Sequence, residues 1–214
     1  DHGGGALRQR RARAREDFPA GIKLYEIERQ WQRFQHLPGS RHDLFADAVA
    51  ECSAADVVFL GAGSVRLKAM GPLVTLGNFM GCFPYNDVLT RFTVTGAQLR
   101  RIFSHIMRPE NRDGEGECYQ VNAGVCAVYS ESARRLESLS VGGKPVEDGN
   151  LYTICLQGYH VKNAADYLSV GESELVAAGK PKVVSTSAQD VLLEFLRNNQ
   201  NVSRKVEGRL VYKP

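Results

Sequence analysis

The chain has 214 residues, 43% of them apolar, so it can form one large domain or two small ones around a buried core. Its formal net charge of +3 is too small to indicate a nucleic-acid or membrane partner, and no apolar run approaches the ~20 residues of a membrane span. The 5 cysteines include no C-x-x-C pair, which argues against a zinc cluster and predicts reduced, structural thiols that slightly favour a cytoplasmic location.

The residues before the predicted domain have a different composition. Residues 1–20 are rich in glycine and arginine, which predicts a flexible basic tail. A nucleic-acid arm is the alternative, but no aromatic residue is interleaved between Arg8 and Arg15, so nucleic acid is not the expected partner. Residues 21–40 contain a predicted linker helix within Ile22–Gln35. The domain itself is predicted to span residues 41–214.

Within that domain, helical and strand-like patterns follow one another in an irregular order. The predicted helices are His42–Cys52, Gly96–Met107, Glu172–Ala178 and a helix containing Val191 and Leu196, with capping-box spacing at Thr186 and Gln189. The predicted strands are Asp56–Leu60, Arg91–Thr95, Tyr119–Tyr129, Leu151–Leu156 and Val206–Tyr212, together with a hairpin that pairs Leu136–Val141 with Lys144–Val146. The predicted loops are Arg108–Glu117, which is polar, and Gln157–Asp166. Gly142-Gly143 is a strong hairpin signal. Because strands and helices do not alternate regularly, the predicted class is α+β, with mixed, largely antiparallel sheets layered with helices.

A self-contained catalytic site is not predicted. The sequence has no G-x-S-x-G elbow, no G-x-x-x-x-G-K phosphate loop and no H-E-x-x-H motif. The 5 histidines are scattered without ligand spacing, and His105 is predicted to be a solvated surface residue. We therefore predict no catalytic residue, no metal ligand and no cofactor in this chain.

Two loops have residues suited to binding an anion and a flat ring. In the first, Gly63 lets backbone approach a ligand, and Arg66 supplies a planar, permanent cation for phosphate or carboxylate. The alternative is that Arg66 pairs with a surface acid. In the second, Pro84 stiffens the backbone and Tyr85 could present a ring face to a base. The alternative is that Tyr85 is an ordinary half-buried tyrosine.

A third loop has the same kind of composition. Tyr159 precedes Asn163 and Asp166. A second aromatic ring at Tyr159 could close a sandwich around a base, with Asn163 and Asp166 as polar groups for base edges or ribose. The three loops together suggest a nucleotide-like ligand.

Four motifs, in this order, resemble the C-terminal domain of the 5′-nucleotidases, a family that includes UDP-sugar hydrolases and 2′,3′-cyclic nucleotide phosphodiesterases. They are Gly61-Ala62-Gly63-Ser64-Val65-Arg66, Phe83-Pro84-Tyr85-Asn86-Asp87, Phe92-Thr93-Val94-Thr95-Gly96-Ala97-Gln98-Leu99 and Val206-Glu207-Gly208-Arg209. The helix His42–Cys52 resembles the family's entry helix, and the resemblance covers about Asp43 to Tyr212.

This resemblance implies an α+β substrate-binding domain next to an N-terminal metallophosphoesterase domain, whose two divalent metals carry out hydrolysis. The substrate-binding domain is implied to hold the nucleoside between two aromatic rings and to help hold phosphate through an arginine. On the matching positions, Arg66 resembles that arginine, Tyr85 and Tyr159 resemble the two rings, and Asp166 resembles the acid of the ligand loop. The resemblance also allows an exported protein, since family members are often exported.

The chain departs from the family pattern at several places: both candidate rings are tyrosines where the family usually has phenylalanines, and Arg41 is offset from the arginine that precedes the family's entry helix. Gly61 stands where the family's N-G-G-x-[IV]-R begins with asparagine, so an amide contact to the base is lost or replaced. The family's G-G-D-G-[FY] is Ala164-Ala165-Asp166-Tyr167 here. Tyr159 is one residue further from Asp166 than usual, so His160 is a rival for its role.

Three hypotheses follow. The first is the nucleotide-binding specificity domain of a 5′-nucleotidase-like hydrolase, because the chain shows none of the D-x-H, G-N-H-[DE] or G-H-x-H signatures of the metal domain. The second is a stand-alone, non-catalytic nucleotide-binding or regulatory module, which the changes at Gly61 and Ala164-Ala165 favour. The third and weakest is a nucleic-acid contact through the arginine-rich tail.

Overall fold

A computed structural model describes residues 40–67, 74–113, 117–200, 202 and 207–214. The predicted basic tail and the predicted linker helix within Ile22–Gln35 lie outside the described residues. Within the described part, no helix is long and apolar enough to cross a membrane.

The described chain contains eight α-helices and nine strands. The helices are α1 (Ser40–Ser53), α2 (Leu76–Cys82), α3 (Gly96–Ile106), α4 (Pro109–Asp113), α5 (Gly158–Lys162), α6 (Ala164–Leu168), α7 (Glu172–Ala177) and α8 (Ala188–Asn198). The strands are β1 (Val57–Gly61), β2 (Leu89–Thr95), β3 (Tyr119–Gln120), β4 (Val125–Ser130), β5 (Arg135–Val141), β6 (Lys144–Pro145), β7 (Leu151–Gln157), β8 (Lys182–Ser185) and β9 (Leu210–Lys213).

The strands form two sheets. One hydrophobic core lies between the sheets, and a second lies on the other face of the larger sheet. The five-stranded sheet has the order β3-β1-β7-β2-β8, and the four-stranded sheet has the order β6-β5-β4-β9. Only β1–β7 and β4–β9 pair in parallel among the described strands; the other pairs are antiparallel. The predicted α+β class with mixed, largely antiparallel sheets is confirmed.

Strand β1 is buried on both faces, which explains its unbroken apolar run. Val57 and Phe59 pack into a core shared with α3 and the four-stranded sheet. Val58 and Leu60 point to the other face and join a second core made with α1, α2 and α8. The five-stranded sheet is therefore the central layer, with helices on one side and α3 with the second sheet on the other.

Two local predictions, the helix that follows Thr95 and the hairpin at Gly142-Gly143, are confirmed because their signals do not depend on distant residues. Thr95 caps α3 in a capping box, in which its hydroxyl accepts from the Gln98 amide at 3.2 Å while its own amide donates to the Gln98 side chain at 2.8 Å. The hairpin between β5 and β6 turns at Gly142 and Gly143, whose φ angles of 58° and 75° are both left-handed, as this tight turn requires.

The strand predicted over Tyr119–Tyr129 is wrong, because the segment changes sheets in its middle. It forms β3 beside β1 and then β4 in the other sheet. Asn122 lies between them, where its Oδ1 accepts from the Val58 amide at 2.7 Å and its Nδ2 donates to the Asp56 carbonyl at 3.3 Å. These bonds satisfy edge groups of β1 in place of strand pairing, so β3 ends and the chain leaves the sheet.

Four other details also differ from the prediction. The polar loop Arg108–Glu117 contains the short helix α4, and the loop Gln157–Asp166 consists mostly of α5 and the start of α6. The cap of α8 is Ser187, whose hydroxyl accepts from the Asp190 amide at 3.0 Å, and not Thr186. Strand β9 begins only at Leu210, because Glu207, Gly208 and Arg209 form irregular chain in which Gly208 has a left-handed φ of 65°. Val206 lies outside the described residues.

A buried charge cluster ties α1 to the chain just before β9. The Arg209 side chain is only 3% exposed and donates to both carboxylate oxygens of Asp47, at 2.8 and 2.9 Å. It also donates to Glu207 at 2.8 Å and to the Val121 carbonyl at 2.8 Å. This planar fork satisfies several acceptors at once, as arginine does better than lysine.

Asp43, one helical turn before Asp47, is fully buried beside this cluster. Within the described residues neither carboxyl oxygen has a hydrogen-bond partner of good geometry, although the Glu207 backbone lies close enough to oppose the rise in the pKa of Asp43. Burial raises the pKa of Asp43 from 3.8 to about 6, while Arg209 partly opposes that rise. The carboxyl of Asp43 therefore favours its neutral form much more than an exposed aspartate does.

Candidate functional site

The three predicted ligand loops meet at one end of the central sheet. Strands β1 and β7 are parallel, with Phe59 opposite Leu156, so the loops that follow them leave the sheet side by side. Strand β2 is antiparallel to β7, with Leu89 opposite Gln157, so the loop before β2 reaches the same end. Further contacts join the loops, because the Gly158 amide donates to the Val88 carbonyl at 2.9 Å.

The loop after β1 is anchored on both sides. A short 3₁₀ turn covers Ala62–Ser64, and the Ser64 hydroxyl donates to the Gln157 side chain at 3.0 Å. The Arg66 amide donates to the Cys82 carbonyl at 2.7 Å, which fixes the backbone of Arg66 to the end of α2. The predicted residue Gly63 is also held, because its amide donates to Oε1 of Glu117 at 3.3 Å.

Arg66 and Tyr85 form one unit in the structure. The Arg66 guanidinium donates to the Tyr85 hydroxyl, and its central carbon lies 5.2 Å from the centre of the Tyr85 ring. Tyr85 is 42% exposed. No ion pair joins Arg66 to an acid among the described residues, so the alternative of a surface ion pair is not what the structure shows there.

Tyr159 opens α5 and is accessible, with 49% of its surface exposed. It has an aromatic neighbour that the loop composition alone does not single out: the hydroxyls of Tyr159 and Tyr167 lie 3.1 Å apart, and their ring centres lie 6.0 Å apart. Asn163 donates from Nδ2 to the Tyr159 carbonyl at 2.8 Å, so its amide closes the end of α5. The structure thus groups Tyr159, Tyr167 and Asn163.

Asp166 is exposed on α6, and its carboxylate makes no hydrogen bond within the described chain. Its backbone carbonyl accepts from Nε2 of His105 at 2.8 Å. His105 lies at the surface, as predicted, but it is only partly exposed, and this hydrogen bond joins α3 to α6. Burial and the neighbouring Arg108 lower the pKa of His105.

His160, the rival of Tyr159, lies behind the exposed ring. It is 2% exposed and packs edge-on against Tyr119, with 5.0 Å between the ring centres. Burial lowers the pKa of His160 to about 4, so the imidazole is neutral at pH 7. Its Nδ1 finds no hydrogen-bond partner in the part of the chain that the structure describes. Of the two rivals, only Tyr159 offers an open ring face.

Glu117 is the site residue that sequence reasoning missed. The pairing of Gly61 with Tyr119 in strands β1 and β3 carries Glu117 to the turn after β1. Its carboxylate lies between the two loops that bear Arg66 and Tyr159. Burial raises the pKa of Glu117, while the Gly63 amide and Arg66 oppose that rise. No signal in the polar loop that ends at Glu117 distinguishes it from its acidic neighbours.

Gly61 leaves the space that His160 and Glu117 occupy. A Cβ atom at position 61 would lie 2.4 Å from Cε1 and 2.5 Å from Nε2 of His160, and 2.9 Å from Oε1 of Glu117. The backbone of Gly61 has φ of −62°, which any residue can adopt. Glycine is therefore required here for close packing, and not for its backbone conformation.

This contact predicts a coupled pair of substitutions. Gly61→Ala should lower the free energy of unfolding by about 1–3 kcal/mol, because the added methyl group overlaps the imidazole. Removing that ring in the double variant Gly61→Ala/His160→Ala should cost less than the sum of the two single changes, by about 1 kcal/mol or more. Urea denaturation followed by circular dichroism measures all three variants.

The matched control is Gly149→Ala, since a Cβ atom at position 149 would meet nothing within 4 Å. Its effect should stay within about 0.5 kcal/mol. Strict additivity of the Gly61 and His160 changes would contradict the packing argument.

A separate open groove of about 770 Å³ lies at the opposite end of β7. Asp56, Lys144, Leu151 and Tyr152 are among its lining residues, and none of the predicted ligand residues lines it. The candidate site is therefore an arrangement of exposed loops and not this groove. Within the described residues, no group of three or more histidine, cysteine, aspartate or glutamate side chains could hold a metal ion.

Comparison with known proteins agrees with this arrangement of strands and loops. A probable 5′-nucleotidase from Treponema pallidum is 22% identical over 167 residues, which are 74% of this chain and 28% of that protein. A crystal structure of a 5′-nucleotidase precursor from Thermus thermophilus matches with a TM-score of 0.71 at 16% identity, over 98% of this chain and 42% of that one.

An NAD nucleotidase from Haemophilus influenzae matches in the same way, with a TM-score of 0.71 at 13% identity, over 98% of this chain and 40% of that one. At these identities the structural matches show the fold, and this chain spans less than half the length of each of these three relatives. The model of the 5′-nucleotidase C-terminal domain family matches residues 25–170. The chain belongs to the family of 5′-nucleotidase C-terminal domains.

Proposed function

We propose that this domain binds the nucleoside and phosphate of a nucleotide for a 5′-nucleotidase-type hydrolase. The observation that carries this proposal is the convergence of three loops at one end of the central sheet, with Arg66 held on Tyr85 and with Tyr159 exposed nearby. A cation beside two accessible aromatic rings suits a ligand that has an anionic group and a flat base.

The roles follow from the geometry of each residue. Arg66 lies at the hydroxyl end of the Tyr85 ring, so a base stacks on a ring face beside the guanidinium or takes the place of the guanidinium. In either case the guanidinium stays close enough to the ligand to donate to phosphate oxygens. In the proposal, Tyr159 supplies the second ring, supported by Tyr167. The exposed carboxylate of Asp166 accepts from ribose hydroxyls.

Hydrolysis itself is assigned to another part of the enzyme. The described residues contain no group that fits a metal ion, so we derive no chemical step in this domain. In the proposal, an N-terminal metallophosphoesterase domain with divalent metals supplies the water that attacks phosphorus. The alternative function, a stand-alone nucleotide-binding module, uses the same site and differs only in having no metallophosphoesterase partner domain.

Calorimetric titration with adenosine, AMP and UDP-glucose tests the binding site. Tyr85→Ala and Tyr159→Ala should each weaken binding by roughly 5- to 100-fold, because each removes one stacking surface. Tyr85→Phe should keep most of the affinity for adenosine, since it retains the ring.

Leu151→Ala is the matched control, because Leu151 is exposed at the opposite end of β7. It should bind like the wild type. Absence of binding for every ligand, or equal binding by the wild type and both tyrosine variants, would overturn the proposed function.

A further inference from the structure

The carboxylate of Glu117 is placed in the middle of the candidate site. Its Oε1 accepts from the Gly63 amide at 3.3 Å and lies beside the backbone of Gly61. Its Oε2 makes no hydrogen bond within the described residues. Glu117 also influences the aromatic side of the site: the pKa of Tyr167 is raised first by its hydrogen bond to Tyr159, and the charge of Glu117 contributes further.

No ion pair with a neighbouring cation compensates the charge of Glu117 within the described residues. Arg66 lies close enough to affect its pKa, yet no ion pair joins the two, because the guanidinium rests on Tyr85. Within the described residues, two buried polar atoms of neighbouring side chains also have no hydrogen-bond partner, namely Nδ1 of His160 and the hydroxyl of Tyr119. Because buried polar atoms are nearly always paired in native proteins, these two atoms favour a polar ligand on this side of the site.

Gly61 makes this arrangement possible. A side chain at position 61 would occupy the place where His160 and the Glu117 carboxylate now meet. An asparagine there would offer both a donor and an acceptor to a base. This chain offers instead a carboxylate, which accepts only, on two adjacent oxygens.

We propose that Glu117 selects the nucleobase, and that it favours bases with two adjacent N–H donors, as on the Watson–Crick edge of guanine, over adenine. This inference rests on the proposed function of the domain. It assigns Glu117 as a specificity-determining residue and guanine nucleosides or nucleotides as the preferred substrate class.

The edges of the bases explain the preference. Guanine places N1–H and the 2-amino group side by side, so both can donate to one carboxylate, in a bidentate pair. Adenine offers its 6-amino group next to the N1 lone pair, and that lone pair faces the second carboxylate oxygen without a proton. Uracil has a single N3–H flanked by two carbonyl oxygens. Only guanine among these bases satisfies both oxygens.

Calorimetric titration of the full chain with guanosine, inosine and adenosine tests this selection. Nucleosides are used because they carry no phosphate, so a change in site charge does not obscure the result. The wild type should bind guanosine on the order of tenfold or more tightly than adenosine. Inosine, which lacks the 2-amino group, should bind between the two.

Glu117→Gln should reverse the order of affinity for guanosine and adenosine. Glutamine keeps an oxygen for the Gly63 amide and replaces the other oxygen with a donor, which repels the guanine edge and suits adenine. Guanosine affinity should fall on the order of tenfold, and adenosine affinity should stay the same or rise. If Glu117 had only a structural role, the substitution would weaken the binding of guanosine and adenosine equally. Glu172→Gln, which changes an exposed glutamate on α7, should leave all three affinities unchanged.

The outcomes separate this inference from the function on which it rests. Equal binding of guanosine and adenosine by the wild type, with loss of both in Tyr85→Ala, would overturn the base preference and leave the binding function standing. Equal weakening of both ligands by Glu117→Gln would overturn it as well. Failure of the wild type to bind any nucleoside would overturn the proposed function and the inference together. The affinities of the wild type for guanosine and adenosine test the base preference even if Glu117→Gln does not fold.

Discussion

Replacing Arg209 with alanine is expected to lower the free energy of unfolding by about 3–5 kcal/mol. The Arg209 side chain is 3% exposed and makes a two-point contact with Asp47, whose side chain is 10% exposed. Without the guanidinium, that buried carboxylate loses its two-point contact with a cation, and the Val121 carbonyl loses a donor. Breaking one side of a buried ion pair is far more costly than exchanging the whole pair for apolar groups.

Urea denaturation of Arg209→Ala measures this loss, with Arg209→Lys as a milder second variant. Lysine keeps the charge and loses the planar fork, so an intermediate loss is expected. Arg101→Ala is the matched control, because Arg101 pairs with Glu174 on the surface, where the two side chains are 45% and 44% exposed. That control should cost about 1 kcal/mol or less. An Arg209→Ala loss no larger than that of the control would contradict the role given to the buried cluster.

The second large effect on the free energy of unfolding is expected from Asp43→Asn, and its size depends on pH. The folded-state pKa of Asp43 is about 6, above its usual 3.8, so the folded protein binds more protons than the unfolded chain between these values. The stability contributed by the neutral carboxyl is therefore lost as pH rises through this window. Asparagine resembles the neutral carboxyl and does not titrate there.

The free energy of unfolding of Asp43→Asn, relative to the wild type, should therefore rise by about 2 to 3 kcal/mol between pH 4 and pH 7.5. Chemical denaturation at a series of pH values measures the difference. Asp190→Asn is the control, since Asp190 is an exposed aspartate in the first turn of α8, and its difference should change by less than about 1 kcal/mol. A pH-independent difference for Asp43→Asn, or a fall with rising pH, would show that Asp43 is not protonated near pH 6.

Local chemistry explains which elements the sequence predicts correctly. Helix α3 has its capping box at Thr95 and a continuous apolar stripe, and the β5–β6 turn has two adjacent glycines, so neighbouring residues alone determine both. The family motifs add the order of the three ligand loops, and the parallel pairing of β1 with β7 then brings these loops to one end of the sheet.

The parts that sequence reasoning misses depend on contacts between distant residues. Asn122 ends β3 through hydrogen bonds to Val58 and Asp56, more than 60 positions away along the chain. Helix α5 has only five residues and carries the buried His160, so tertiary packing stabilises it more than helix propensity does. Glu117 reaches the site only because β3 pairs with β1. A single sequence gives no sign of such long-range partners.

The contact between Arg209 and Asp47 also constrains the order in which the domain assembles during synthesis. These two residues are 162 positions apart, and β9 pairs with β4 only after the segment that follows α8 is available. A nascent chain that has left the ribosome only as far as α8 therefore has α1 without the Arg209 guanidinium that joins this helix to the end of the domain. Contacts of such long sequence separation slow folding, because a large loop must close before they form. We expect the domain to reach its native state only after residue 209 has emerged from the ribosome.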